Sequence, residues 1–173
     1  MMTSSGEGKY CGNFVVEPHP DDADGGRFLY SSGNSSVDLG ASDFRFTGPD
    51  AIAQNNAPGT QELCPGNSYS FRWSVGNLGT VDQRYNVAWY LSTDVFISTS
   101  DIKVGSNSNA FENAGGFDTW SRTIRIPSSV SFGTEYFLGT FIDYDEKIAE
   151  RYETNNRTYM SRKIRIKARG QCP

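Results

Sequence analysis

YNVAWYLSTDVFISTSDIKVG, residues 85–105, decides the fold. Tyr85, Val87, Trp89 and Leu91 alternate with Asn86, Ala88, Tyr90 and Ser92, the period of two that a strand shows when one of its faces is buried. Ser92, Thr93 and Asp94 break the alternation, and Ser98, Thr99, Ser100 and Asp101 follow. Short polar side chains of this kind bond their own backbone in turns. The stretch therefore predicts a core strand that reverses into a hairpin.

Neighbouring stretches extend the pattern. SYSFRWSVGN (68–77) puts Tyr69, Phe71, Trp73 and Val75 on one face of a strand, and Pro58, Gly59, Pro65 and Gly66 mark the turns before it. After the hairpin comes a Gly-rich connection (111–118), then the strands TWSRTIRIP (119–127), GTEYFLGTFID (133–143) and 157–167. DFRFTGPDAI (43–52), with Phe44 and Phe46 on one face, is the expected first strand. About seven strands at this spacing predict an all-β antiparallel sandwich, while strand count alone also admits a jelly roll or barrel. Aromatics make up 13% of the 173 residues and Gly numbers 18, a balance that favours short strands and tight turns. No segment of helical length shows a 3.6-residue apolar period.

Residues 1–42 read as an extended, strand-capable N-terminal arm, and residues 43–173 as the sandwich domain. In KYCGNFVVE (9–17), Tyr10, Phe14 and Val16 share one face, making them the candidate residues of an assembly strand. Pro18, Pro20 and DDADGG stop that run, RFLYSS (27–32) is a second short candidate, and GNSSVDLGAS (33–42) reads as loop.

Two runs carry a family resemblance. YLSTDVFISTSDIKVG (90–105) resembles the YLSxDxxISxxDxxLG hairpin of CARDB domains, the cell-adhesion-related immunoglobulin-like modules of bacterial and archaeal surface and secreted proteins. EYFLGTFIDYDEKIAERYETNNRT (135–158) resembles that family's ending, a YYLG-type strand followed by an Asp and an acidic E-x-x-E-T-N-N run. The match in order and spacing covers about 125 residues, Asp43 to Lys167. It implies immunoglobulin-like connectivity, in which the segment before the second strand runs parallel to the last strand. Cys64 and Cys172 then arrive at one end, so the resemblance implies a Cys64–Cys172 disulfide. Cys11 is left over, as an intermolecular thiol or a buried unpaired one. Asn34 and Asn156 match the glycosylation acceptor triplet.

Candidate chemistry is sparse. The net charge of −4 argues against a nucleic-acid partner. The cations Arg162, Lys163, Arg165, Lys167 and Arg169, spaced around Ile164 and Ile166, read as an exposed face of an edge strand. No run approaches the length of a membrane span, and no apolar signal-peptide core stands at the N-terminus. His19-Pro-Asp-Asp22 resembles the zinc-binding segment of LmbE-type deacetylases, yet His19 is the only histidine and the remaining ligands are lacking, so it reads as a rigid turn. Three scattered cysteines do not make a zinc site. Asp94, Asp101, Asp143, Asp145, Glu146, Glu150 and Glu153 are the oxygens a calcium ion would need, but their spacing reads as turn and loop residues. Asn155 and Asn156 are expected to bond backbone at the turn into the last strand. No nucleophile elbow or phosphate loop occurs.

The expectation is thus a non-enzymatic module without cofactor or metal, extracellular or on a cell surface, serving structure or adhesion. Its expected partners are proteins, copies of itself included, or a surface glycan stacked on tyrosines. The alternative is an accessory, glycan-binding or spacer domain of a secreted hydrolase.

Overall fold

The computed structural model describes residues 36–46, 60–160 and 162–172. Nine strands follow in order: β1 Leu39–Phe46, β2 Gln61–Leu63, β3 Ser68–Asn77, β4 Gln83–Ser92, β5 Ile102–Glu112, β6 Phe117–Arg125, β7 Glu135–Ile142, β8 Arg157–Tyr159 and β9 Ile164–Ile166. One sheet runs β1-β3-β6; the other runs β2-β9-β7-β4-β5, with β8 also paired to β7. All pairs are antiparallel except β2 with β9, which are parallel in the way the immunoglobulin-like connectivity requires. The all-β sandwich read from the alternation is the fold observed.

The core lies between the sheets. Phe71, Trp73 and Val75 of β3 share this core with Tyr85, Val87, Trp89 and Leu91 of β4, and with Leu138 and Ile142 of β7 and Ile164 and Ile166 of β9 alongside them in the same sheet. Phe71 and Trp73 both meet Trp89 edge-on, at centroid separations of 5.3 and 6.0 Å, a geometry that adds about 0.5–1.5 kcal/mol per pair beyond area burial.

Four readings need correction. The first strand begins at Leu39 rather than at Asp43, because Leu39 and Ala41 supply the alternation that a Gly-rich spelling concealed; its expected end, 47–52, lies outside the described residues. The expected last strand, 157–167, is interrupted, which helps bring the strands among the described residues to nine. Both of its pieces pair with β7, but a register shift separates β8 from β9. β9 is not an edge, since β2 pairs outside it; its cations face solvent above buried Ile164 and Ile166. There Arg165 and Lys163 reach Glu135 at 2.6 and 3.5 Å, and Lys167 reaches Glu62 at 3.2 Å. Lastly, β4 is buried on both faces: Ala88 and Tyr90, expected outside, form a second cluster with Ile97 and Phe141.

Candidate functional site, the acidic loop and its clasp

The second cluster exists because the hairpin loop folds back over the sheet. The Ser92 hydroxyl accepts from Asp94 N at 3.2 Å, and Asp94 Oδ1 accepts from Phe96 N at 2.8 Å. Asp101 Oδ2 accepts from Ser98 N and Ser98 Oγ at 2.7 and 3.0 Å. These side-chain turns close the loop at both ends. Ile97 is thereby driven down onto Gly139 of β7, where it is fully buried. Phe96 stays outside, 63% exposed. Beside it the Arg157 guanidinium lies 4.8 Å from the Phe96 ring and 4.0 Å from that of Phe141.

The acidic run after β7 folds by the same means. Asp143 takes φ 48° and Glu146 φ 50°, both in the left-handed region, which aspartate tolerates in turns. Asp143 accepts from Lys147 N and Ile148 N at 3.3 and 2.9 Å, and Asp145 accepts from Asn86 Nδ2 and Lys147 Nζ at 2.8 and 2.6 Å. A shallow depression results, lined by Asp143, Glu146, Lys147, Glu153, Asn156 and Arg157.

Further along, the loop grips the chain that leads into β1. Glu150 accepts from Leu39 N and, at 2.8 Å, from Asn156 Nδ2. Arg151 N donates to Val37 O at 2.8 Å and Ala41 N to Asn155 O at 3.1 Å. Asn155 Nδ2 donates to Asp38 Oδ1 at 2.7 Å. Residues 150–156 thus clasp residues 37–41, which fixes the point where the preceding chain joins the domain. Asn155 and Asn156, expected to bond backbone through their side chains, bond carboxylates instead. Asn156 is also 2% exposed, so it is not a glycan acceptor in the folded domain.

The clasp contains carboxyls that are wholly or partly withdrawn from solvent, Asp38 and Glu150. Burial pushes the Glu150 carboxyl up to about 7, outweighing its hydrogen bonds from Leu39 and Asn156. Burial and the nearby Asp118 charge likewise push Glu112 up to about 7, and burial raises Asp38 and Asp143. A carboxyl whose folded value lies above its unfolded one favours the folded state below the unfolded value, near 4.5, and that contribution is lost as pH rises through about 7. The urea midpoint should therefore fall between about pH 5 and about pH 8, and Glu150→Gln and Glu112→Gln should each flatten the slope. A wild-type midpoint that rises over this range would contradict the assignment. Glu135 and Asp145 are shifted the other way by Arg165 and Lys147 and act only at lower pH.

The expected site residues divide as follows. Cys64 and Cys172 are joined in a disulfide, with Cα atoms 5.7 Å apart and a sequence separation of 108. Tyr10, Cys11, Phe14, Val16, His19 and Asn34 lie outside the described residues. Of the aromatics that could serve as a sugar platform, Tyr85, Tyr90 and Tyr136 are buried, Phe137, Tyr144 and Tyr159 are half-buried, and Tyr152 is exposed. Among the described residues no three His, Cys, Asp or Glu side chains gather as a metal set. Sequence reading missed the partnership of Glu150 with Leu39 and that of Ile97 with Gly139. The first gave no local signal; the second was marked by a glycine in the middle of an apolar strand.

No family model and no curated protein matches the chain. Solved structures do. The solution structure of the CARDB domain of PF1109 from Pyrococcus furiosus superimposes with TM-score 0.51 at 11% identity, covering 78% of this chain and 98% of that one. A crystal structure of the same domain, in complex with di-metal ions, gives TM-score 0.49 at 12% identity over 76% and 89% of the two chains. A domain of a protein from Methanosarcina acetivorans, described as a cell surface protein, gives 0.46 at 15% over 72% and 89%.

Proposed function

From the premise that this chain has the fold of a CARDB domain, we propose that it is a non-catalytic extracellular module of a surface protein or appendage, and that it assembles with copies of itself through its N-terminal arm. The observation that carries this reading is the use made of the acidic residues. Asp94, Asp101, Asp143, Asp145 and Glu150 all accept hydrogen bonds from the domain's own loops and lead-in. Their chemistry goes into shape and into anchoring residues 37–41. The Cys64–Cys172 bond supports an oxidising, extracytoplasmic setting.

The arm supports the finer part. It contributes 35 residues before Ser36, one stretch of which alternates apolar and other side chains as an added strand must. A glycan-facing accessory role for the same module rests on Phe96 and Tyr152, the exposed aromatics beside the acidic loop. Self-association of the full chain, read by sedimentation velocity, tests the assembly reading; a chain that stays monomeric at every concentration overturns it.

A further inference from the structure

Among the described strands, five have one sheet neighbour only: β1 and β6 in one sheet, and β2, β5 and β8 in the other. Four of them carry features that deter a further strand, since bulges and short length spoil an edge as a template. β1 shifts register between Ser42 and Arg45, and its start is held by the 150–156 clasp. β2 and β8 are each three residues long. β5 shifts twice against β4 and takes φ 61° at Asn109. β6 differs, because all nine of its residues pair with β3 without a shift.

The side chains along β6 are specific. Phe117, Thr119, Ser121, Thr123 and Arg125 share the outer face, opposite Gly76, Ser74, Arg72, Ser70 and Ser68. Asp118, Trp120, Arg122 and Ile124 share the inner face, opposite Val75, Trp73, Phe71 and Tyr69. Inward charges on an edge discourage indiscriminate pairing, so an added strand has to answer them. Beside them Val104, Ala110 and Trp120 are only partly buried along the flank where β5 and β6 meet.

We propose that β6 accepts residues 9–17, KYCGNFVVE, of a second copy, running parallel to it; this rests on the assembly reading above. Nine residues meet nine. In the parallel register Tyr10 falls beside Asp118, where a phenol donates to a carboxylate, and Phe14 beside Arg122, where a ring faces a guanidinium. Val16 meets Ile124 and Glu17 meets Arg125. The antiparallel register sets Lys9 against Arg125 and Val16 against Asp118, and like charges directly opposed are unfavourable. The 18 residues from 18 to 35 span up to ~60 Å when extended, enough to reach a neighbour from the point beside Thr80 where Ser36 meets the domain.

Cys11 shares parity with the outer face, so it serves as the probe. In the full chain, Thr119→Cys and Thr123→Cys place thiols at exposed positions of β6, and Ser108→Cys places one on β5. After mild oxidation at rising concentration, followed by non-reducing gels and peptide mass spectrometry, Thr119→Cys should give chains linked through Cys11, several-fold more than the other two. Linkage at Thr123→Cys instead would keep β6 as the acceptor and overturn the parallel direction. Linkage at Ser108→Cys alone, or none while sedimentation still shows self-association, would overturn β6 and leave the assembly reading standing. A concentration-independent link within one chain would overturn the exchange between copies, and absence of any self-association would overturn the assembly reading itself.

Discussion

Gly139→Ala is expected to destabilise the domain by about 1–3 kcal/mol, and Gly139→Val by more, read as a lowered urea midpoint. Gly139 sits in β7, within a sheet buried on both faces at this point, paired with Tyr90 of β4 and Tyr159 of β8. A Cβ added there would press into the Ile97 side chain and lie 2.7 Å from Thr158 O. Neither neighbour yields easily. Ile97 is fully buried beneath a loop closed by Asp94 and Asp101, and Thr158 belongs to the strand paired alongside. The two family-like runs thus meet physically, the isoleucine of one resting on the glycine of the other. Ile97→Ala alone should lose stability through its cavity, and the double substitution should lose less than the sum of the two. An unchanged midpoint for Gly139→Ala, or strict additivity, would contradict this packing.

Loss of the Cys64–Cys172 bond should be costlier still. Its half-cystines are 108 residues apart in sequence, and in the chain-entropy account such a loop contributes roughly 4–5 kcal/mol by restricting the unfolded chain. Structure adds a local reason. β2 is a three-residue strand held by β9 alone, and the disulfide joins Cys64, immediately after it, to the chain beyond β9. Cys172→Ser should therefore lower the denaturant midpoint sharply and raise hydrogen exchange first in β2 and β9. A reduced protein that unfolds at the same midpoint as the oxidised one would contradict the role assigned to this bond.

These two expectations show where the sequence is readable. Alternation in 68–77 and 85–91 specified two central strands and the face each turns to the core, because burial on one side leaves a period of two. The same rule misled at Ala88 and Tyr90, whose second face is covered by a loop closing from elsewhere, and periodicity cannot register that. Basic residues around Ile164 and Ile166 resembled an edge because alternation marks the faces of a strand and says nothing of its neighbours in the sheet. The parallel partner, β2, is three residues long and carries too little pattern of its own. Glu150 was legible only as an acidic loop residue, since its partner Leu39 is 111 positions away. The disulfide became legible through the topology that the family resemblance implied, and not through the cysteine spacing.

Assembly through the N-terminal arm, as proposed above, is tested most directly in solution. Sedimentation velocity of the full chain beside a chain beginning at Ser36, over a range of concentrations in oxidising and in reducing buffer, decides it. We expect the full chain to form larger species as concentration rises and the shortened chain to remain a monomer, with loss of the larger species on reduction marking a contribution from Cys11. Two monomers, or equal association of both chains, would contradict the account.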